Sequence, residues 1–307
     1  MADKIAVIGA GQMGAGIAQV AAAAGCEVSL LDVSIENAQA AKDKMAKSLE
    51  RLVQKEKITS DSKTKLLALI EPSDDMSVVG QTSFAIEAAT ENQDLKLKIF
   101  QELDKHAGPD TILARNTSSI SVSKMAAATS RPDQVVGIHF MNPVPRMSLV
   151  ELVRADQTSE ATYQAAKTFA EAVGKTVITS KDRPGFLVNR ILIPFLNEAC
   201  LCFSEGVGTA EDIDQGAVLG LNHPLGPLAL ADLIGLDTVL FIAQVLHKDF
   251  GDDKYKPSSL LEEYVAKGWL GRKSGRGFYD YSEQKKSTST SIIMNRSRRL
   301  RSIVPAS

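Results

Sequence analysis

The sequence predicts an α/β fold, a doubly wound and mainly parallel sheet over residues 1–182, joined to a second, all-helical domain over residues 183–282. Three observations carry this. Short apolar runs suited to fully buried strands alternate with amphipathic stretches as far as residue 181. A Gly9-Ala10-Gly11-Gln12-Met13-Gly14 turn follows the first of those runs at once. Beyond Asp182-Arg183-Pro184-Gly185 the chain carries helical patterns only, beginning with a stretch from Phe186 to about Glu205 that is apolar almost all round.

The opening unit reads as strand, turn, helix, strand and acid. Ile5 to Ile8 form the first strand, and an alanine-rich helix runs from about Met13 to Ala24, where Gly25 stops it. Glu27 to Leu31 then form a second strand ending at Asp32. Gly9 allows the tight turn, Gly11 lets backbone approach a pyrophosphate, and Gly14 lets the helix pack against the strand. The phosphates would rest on the helix start at Gln12 and Met13. Asp32, 18 residues after Gly14, stands where a carboxylate accepts the ribose hydroxyls of NAD and repels the 2′-phosphate of NADP. A plain βαβ unit is the competing reading. The flanking elements favour a Rossmann-type site for NAD.

The remaining α/β elements follow in order. Helices are predicted from about Ile35 to Lys57 and Ser62 to Leu69, ended by Pro72. Strands follow at Phe84 to Ala88, Thr111 to Ala114, Val135 to Phe140, Leu149 to Val153 and Thr176 to Thr179. Helices are expected at Gln93 to His106 and Glu160 to Val173. In the second half the expected helices are Ala210 to Leu219, Ala229 to Leu246 and Ser258 to Ala266. A glycine-rich basic segment from Gly268 ends in aromatic residues, and residues 283–307 read as a disordered basic tail.

With 307 residues the chain can bury two cores, and a net charge of −2 argues against general nucleic-acid binding. Any polyanionic ligand must then meet a local basic patch. Cys26, Cys200 and Cys202 show no metal-ligand spacing and read as reduced thiols. The first strand starts at Lys4 and no apolar run reaches membrane-spanning length, so a cytoplasmic enzyme without a membrane partner is expected.

Removing hydride from an alcohol needs a base for the hydroxyl proton, which suits histidine. Of four histidines, His106 and His247 lie in charged surroundings, and His223 sits in a loop and could serve either purpose. His139 lies at the carboxyl end of a strand, the edge where doubly wound sheets hold ligands. Glu151 on the next strand could orient it. Ser118, just beyond another strand end, could hydrogen-bond the reacting oxygen or cap a helix. Asn189 is an amide at the start of an apolar helix, and a substrate oxygen would satisfy it. Lys44, Lys47, Arg51 and Lys55 form one stripe on the helix after Asp32, either a solvated face or a seat for phosphates.

Those motifs together resemble the L-3-hydroxyacyl-CoA dehydrogenases, most closely the stand-alone bacterial 3-hydroxybutyryl-CoA dehydrogenases. The likeness covers residues 4 to about 281, through Gly9 to Gly14, Glu91 with Lys96, Asn116-Thr117-Ser118-Ser119, His139 to Pro143, Leu149-Val150-Glu151, Pro184-Gly185-Phe186 with Asn189-Arg190, and Gly271 to Gly275. The resemblance implies His139 as base, Glu151 as its orienting acid, and Ser118 and Asn189 as substrate contacts. It places Glu91, Lys96, Asn116, Asn142 and Lys273 along NAD, and the Arg51 and Lys55 stripe beside an acyl-CoA. A homodimer through the helical domain is expected. Two rival readings keep the fold: a dehydrogenase of a free hydroxy acid, as gulonate enzymes of similar sequence are, and a non-catalytic protein resembling lens crystallins. Arg115 departs from the small residue usual before Asn-Thr-Ser, and would crowd the cofactor or alter its affinity.

Overall fold

The computed structural model describes residues 3–89, 93–116 and 121–282 of the chain. Residues 3–187 and 188–282 fall into two compact units.

In the first unit β1 (Lys4–Ile8), α1 (Gln12–Ala23) and β2 (Glu27–Leu31) are followed by α2 (Ile35–Gln54), α3 (Ser60–Ala68) and β3 (Ile70–Ser73). Then come β4 (Phe84–Glu87), α4 (Gln93–His106), β5 (Ile112–Arg115), α5 (Val122–Ala126) and β6 (Val135–Phe140). The unit closes with β7 (Leu149–Arg154), α6 (Glu160–Ala172) and β8 (Thr176–Lys181). The eight strands form one sheet in the order β3-β2-β1-β4-β5-β6-β7-β8. All neighbours are parallel except β6 and β7. The order reverses between β1 and β4, which opens a crevice at their carboxyl ends.

Period-two alternation along the strands feeds two cores. Ile5, Val7, Ile86, Ile138 and Phe140 meet Ile17 and Ala21 of α1, Met45 and Leu49 of α2, and Phe169 of α6 on one face. Ala6, Ile8, Leu113 and Val153 meet Phe100 and Leu103 of α4 and Met125 of α5 on the other. Each large apolar side chain buried in this way contributes about 1.5–3 kcal/mol. The expected doubly wound architecture is present.

Two sequence expectations require correction. Pro72 was expected to end a helical pair, yet it lies inside β3, opposite Leu30. β3 is an edge strand, where the missing proline N–H breaks no internal ladder. The apolar stretch after Ala229, expected as one helix, is α9 (Pro227–Ile234) and α10 (Leu236–Phe250), bent by 98° at Gly235. Gly235 takes φ 105° and ψ 123°, a backbone conformation that side chains with a Cβ rarely adopt.

The rest of the second unit is α7 (Val188–Ser204), α8 (Ala210–Gln215), a π turn over Gly216–Gly220 and α11 (Ser259–Ala266). Its core gathers Ile193, Leu196, Val239, Leu246 and Leu261. The glycine-rich segment folds back on the buried Asp232, whose carboxylate accepts from the Phe278 and Tyr279 amides and the Tyr281 hydroxyl. Burial pushes that carboxyl above the usual carboxylate range. No single described helix is long and apolar enough to cross a membrane. All three cysteines are free, Cys26 and Cys200 being buried. The tail over residues 283–307 lies outside the described residues.

Candidate active site

The carboxyl ends of β1, β4, β5 and β6 bring most of the expected residues of the first unit together. At the end of β1, Gly9 takes φ 102°, and a Cβ there would stand 2.8 Å from the Ala88 carbonyl oxygen. A Cβ on Gly14 would stand 1.8 Å from the Gly9 carbonyl oxygen, so α1 can approach the turn only with glycine at that position. Gly11 differs. A Cβ there would meet nothing within 4 Å, which leaves its outer side open for a ligand. No side chain caps the first turn of α1, so the amides at Gln12 and Met13 face outward for an anion. Asp32 accepts from the Ala10 and Val33 amides at 2.8 and 2.9 Å and from Asn37 at 3.1 Å, which ties the end of β2 to the glycine turn. The turn, the open helix start and the carboxylate all fit a dinucleotide.

Neighbouring loops complete this edge. Gln12 donates to Asn142 across 3.1 Å, and Asn116 accepts from the Phe140 amide at 3.0 Å, bridging the ends of β5 and β6. A cleft of about 410 Å³ beside the turn is lined by Gly11, Gln12, Lys44, Pro143 and Val144. Glu91 and Ser118 lie outside the described residues. Lys96 is fully enclosed and bonds both oxygens of Glu87, at 2.9 and 3.0 Å, so its ammonium is turned into the protein. Arg115 is also fully buried, with Nε 3.9 Å from Glu87 and a guanidinium nitrogen 3.4 Å from the Ser121 carbonyl oxygen. Glu87 thus holds two cations that neighbour the crevice. The sequence reading missed it, although a lone acid in an apolar strand was a signal.

His139 and Glu151 face each other directly across β6 and β7 in antiparallel register. Side chains of such a pair project on the same side of the sheet. His139 Nδ1 lies 3.1 Å from Glu151 Oε2, and Glu151 Oε1 accepts from the Leu187 amide. In the tautomer that donates from Nδ1 to this carboxylate, Nε2 is left with its lone pair. The Phe186 ring packs edgewise on the imidazole, with centroids 5.8 Å apart. Such a pair can take a proton at Nε2 and stabilise the resulting imidazolium.

The family models for the 3-hydroxyacyl-CoA dehydrogenase NAD binding domain and C-terminal domain match residues 4–183 and 185–281. The chain belongs to the 3-hydroxyacyl-CoA dehydrogenase family. It is accordingly an NAD-dependent oxidoreductase. The 3-hydroxybutyryl-CoA dehydrogenase of Bradyrhizobium diazoefficiens is 51% identical over 278 residues, 91% of this chain and 95% of that protein. Human mitochondrial hydroxyacyl-coenzyme A dehydrogenase is 42% identical over 284 residues, 90% of each chain. The crystal structure of (S)-3-hydroxybutyryl-CoA dehydrogenase from Ralstonia eutropha superposes with a TM-score of 0.89 at 50% identity, covering 92% of this chain and all of that one.

The other expected residues have separate surroundings. Lys44, Lys47 and Arg51 on α2 and Lys55 at its C-terminal cap are all exposed. An open groove of about 610 Å³ is lined by Lys47, Arg51 and Lys63, and Lys63 bonds Glu50 at 2.6 Å, partly neutralising that acid. Asn189, in the first turn of α7, and Lys273, bonded to Asp237, belong to the second unit. His106 is exposed, His247 is half-buried beside Asp253, and the His223 ring lies tilted by 44° against Phe195.

Proposed function

We propose that this dehydrogenase interconverts a short-chain L-3-hydroxyacyl-CoA, 3-hydroxybutyryl-CoA foremost, and the 3-oxoacyl-CoA, with His139 as general base. The His139 and Glu151 pair at 3.1 Å, on the sheet that also carries the glycine turn, is the observation that carries this reading. In the oxidative direction His139 Nε2 takes the C3 hydroxyl proton as the C3–O bond becomes a carbonyl. NAD, when bound, supplies the acceptor for the hydride leaving C3. Glu151 holds the imidazole in the required tautomer and offsets its new charge, while the Leu187 amide keeps the carboxylate in place. In reduction His139 returns the proton to the oxygen.

Resemblance alone assigns Ser118 and Asn189 to the substrate and Glu91, Asn142 and Lys273 to the cofactor. The exposed cations Arg51 and Lys55 favour a CoA ester over a free hydroxy acid, since an acid of small size has no phosphates for them to meet. Exposed Ile191, Val207, Leu219 and Leu221 support a homodimer through the helical unit. A cytoplasmic location is supported by three free thiols, and the absence of a nucleic-acid partner by the net charge of −2.

The test is steady-state reduction of acetoacetyl-CoA by NADH with wild type and His139→Gln. Turnover should fall about 10²- to 10⁴-fold while NADH still binds. Retention of more than about a tenth of wild-type turnover would remove His139 from the role of base.

A further inference from the structure

Lys175 is a buried ammonium that the chemistry above leaves unused. It follows α6 at a fixed point. Gly174, at φ 78°, and Lys175 close that helix as a Schellman motif, their amides donating to the Glu171 and Ala170 carbonyls. The next amide, of Thr176, donates to the Ser148 carbonyl at 2.7 Å and opens β8 against β7. From that anchored position Lys175 Nζ donates to the Val144 carbonyl at 2.7 Å and the Met147 carbonyl at 2.8 Å. Among the described residues no carboxylate forms an ion pair with it, and burial draws its pKa below the ordinary lysine value. A charge is therefore spent on holding two backbone carbonyls.

Those carbonyls belong to the connection from β6 to β7, between His139 and Glu151. The same connection meets α1 on its other side. Gln12 donates to Asn142, and Val144 is only 2% exposed, its Cβ 2.8 Å from where a Cβ on Gly16 would stand. Segment 142–147 is thus clamped between the helix that starts at the glycine turn and an ammonium at the foot of β8. We propose that Lys175 is a positioning residue that sets the Asn142 loop against the glycine turn, and through it the affinity for the dinucleotide.

This inference rests on the glycine turn holding the cofactor, so the experiment includes a control for that. Gly11→Val has open space for its side chain and an extended backbone to accept it, and should raise KM for NADH without loss of folded protein. Lys175→Met removes both hydrogen bonds with little change of length. It should raise KM for NADH about tenfold with kcat within about threefold of wild type, and Lys175→Arg should restore most of the loss. Combined with Gln12→Ala, its effect on the NADH dissociation constant should be less than additive, because both act on one loop. A purely structural lysine predicts lower melting temperature with unchanged KM and additive effects, and either of those kinetic results overturns the proposal. Should Lys175→Met not fold, Lys175→Gln, which keeps a donor in the buried site, is read by the same criteria. An unchanged KM in Gly11→Val overturns the cofactor site itself, whereas a raised KM there with an inert Lys175 overturns only the role of Lys175.

Discussion

Replacing Glu151 with Gln separates the orienting role proposed for this carboxylate from its contribution to folding. Glu151 is fully enclosed and accepts from two donors, His139 Nδ1 on one oxygen and the Leu187 amide on the other. A glutamine fits the same space but offers one acceptor and one donor. If its oxygen stays on Leu187, its amide nitrogen faces His139, and the imidazole must move its proton to Nε2 to accept. If the amide turns over, two donors confront each other at Leu187, an unsatisfied buried group worth about 1–3 kcal/mol. Changing tautomer costs much less than this, so the first arrangement wins. Nε2 then carries hydrogen and cannot take the substrate proton. The expected loss is that of a general base, about 10²- to 10⁴-fold in kcat, or about 3–5 kcal/mol in the barrier. Because the hydrogen bonds persist, the melting temperature should fall by no more than about 4 °C. The assay is acetoacetyl-CoA reduction by NADH, with NADH affinity measured by its fluorescence. Turnover within about threefold of wild type would falsify the orienting role.

Asp32 should enforce NADH over NADPH by about tenfold or more in kcat/KM, and Asp32→Ser should narrow that ratio; equal efficiency with both cofactors in the wild type refutes this. The double substitution of Arg51 and Lys55 by Glu should raise KM for a CoA ester several-fold at low salt, fade as salt is added, and leave KM for NADH nearly unchanged. An unaltered KM for the ester at low ionic strength would make the stripe a solvated surface. The Cys200 thiol, pushed up to about 12 by burial, stays protonated at mildly alkaline pH, and burial also raises Cys26. Iodoacetamide should therefore spare both in the native protein and reach Cys202 first, with all three labelled after denaturation. Rapid native alkylation of Cys200, mapped by peptide mass, would contradict the buried thiol.

Residues whose structure depends on local pattern were legible in advance. The helix Gln93–His106 and the strand Val135–Phe140 occupy their expected limits, because apolar period and end signals agree there. Pro72 misled because edge position, which excuses a proline, is a property of the whole sheet. Gly235 was invisible in an apolar run, since one glycine is tolerated in many helices and only the left-handed φ makes it a corner. At the site, His139 stood out by its place at a strand end. Glu151 was expected beside it from its place on the next strand, although the register that puts the two opposite each other is set by the sheet and not by spacing. Lys175 and Glu87 were missed because their partners, a distant loop for the one and a helix and a neighbouring strand for the other, are set by the fold. Ser118 and Glu91 lie outside the described residues.

Among the described strands the junction of β6 and β7 is the one antiparallel step, and it carries the pair proposed to transfer the proton. Histidine and acid stand opposite each other in register, with Ile138 opposite Leu152 and Phe140 opposite Val150 on either side. A slip of one residue would turn one partner to the opposite face, so the alignment is digital, either correct or lost. The glycine turn and the cationic helix are attached to this sheet without setting that alignment. Chemistry and recognition therefore sit on separable parts of the same scaffold. Helices around the sheet, and loops other than the one joining β6 to β7, can change length, charge or ligand preference while the distance from imidazole to carboxylate stays where the strands put it.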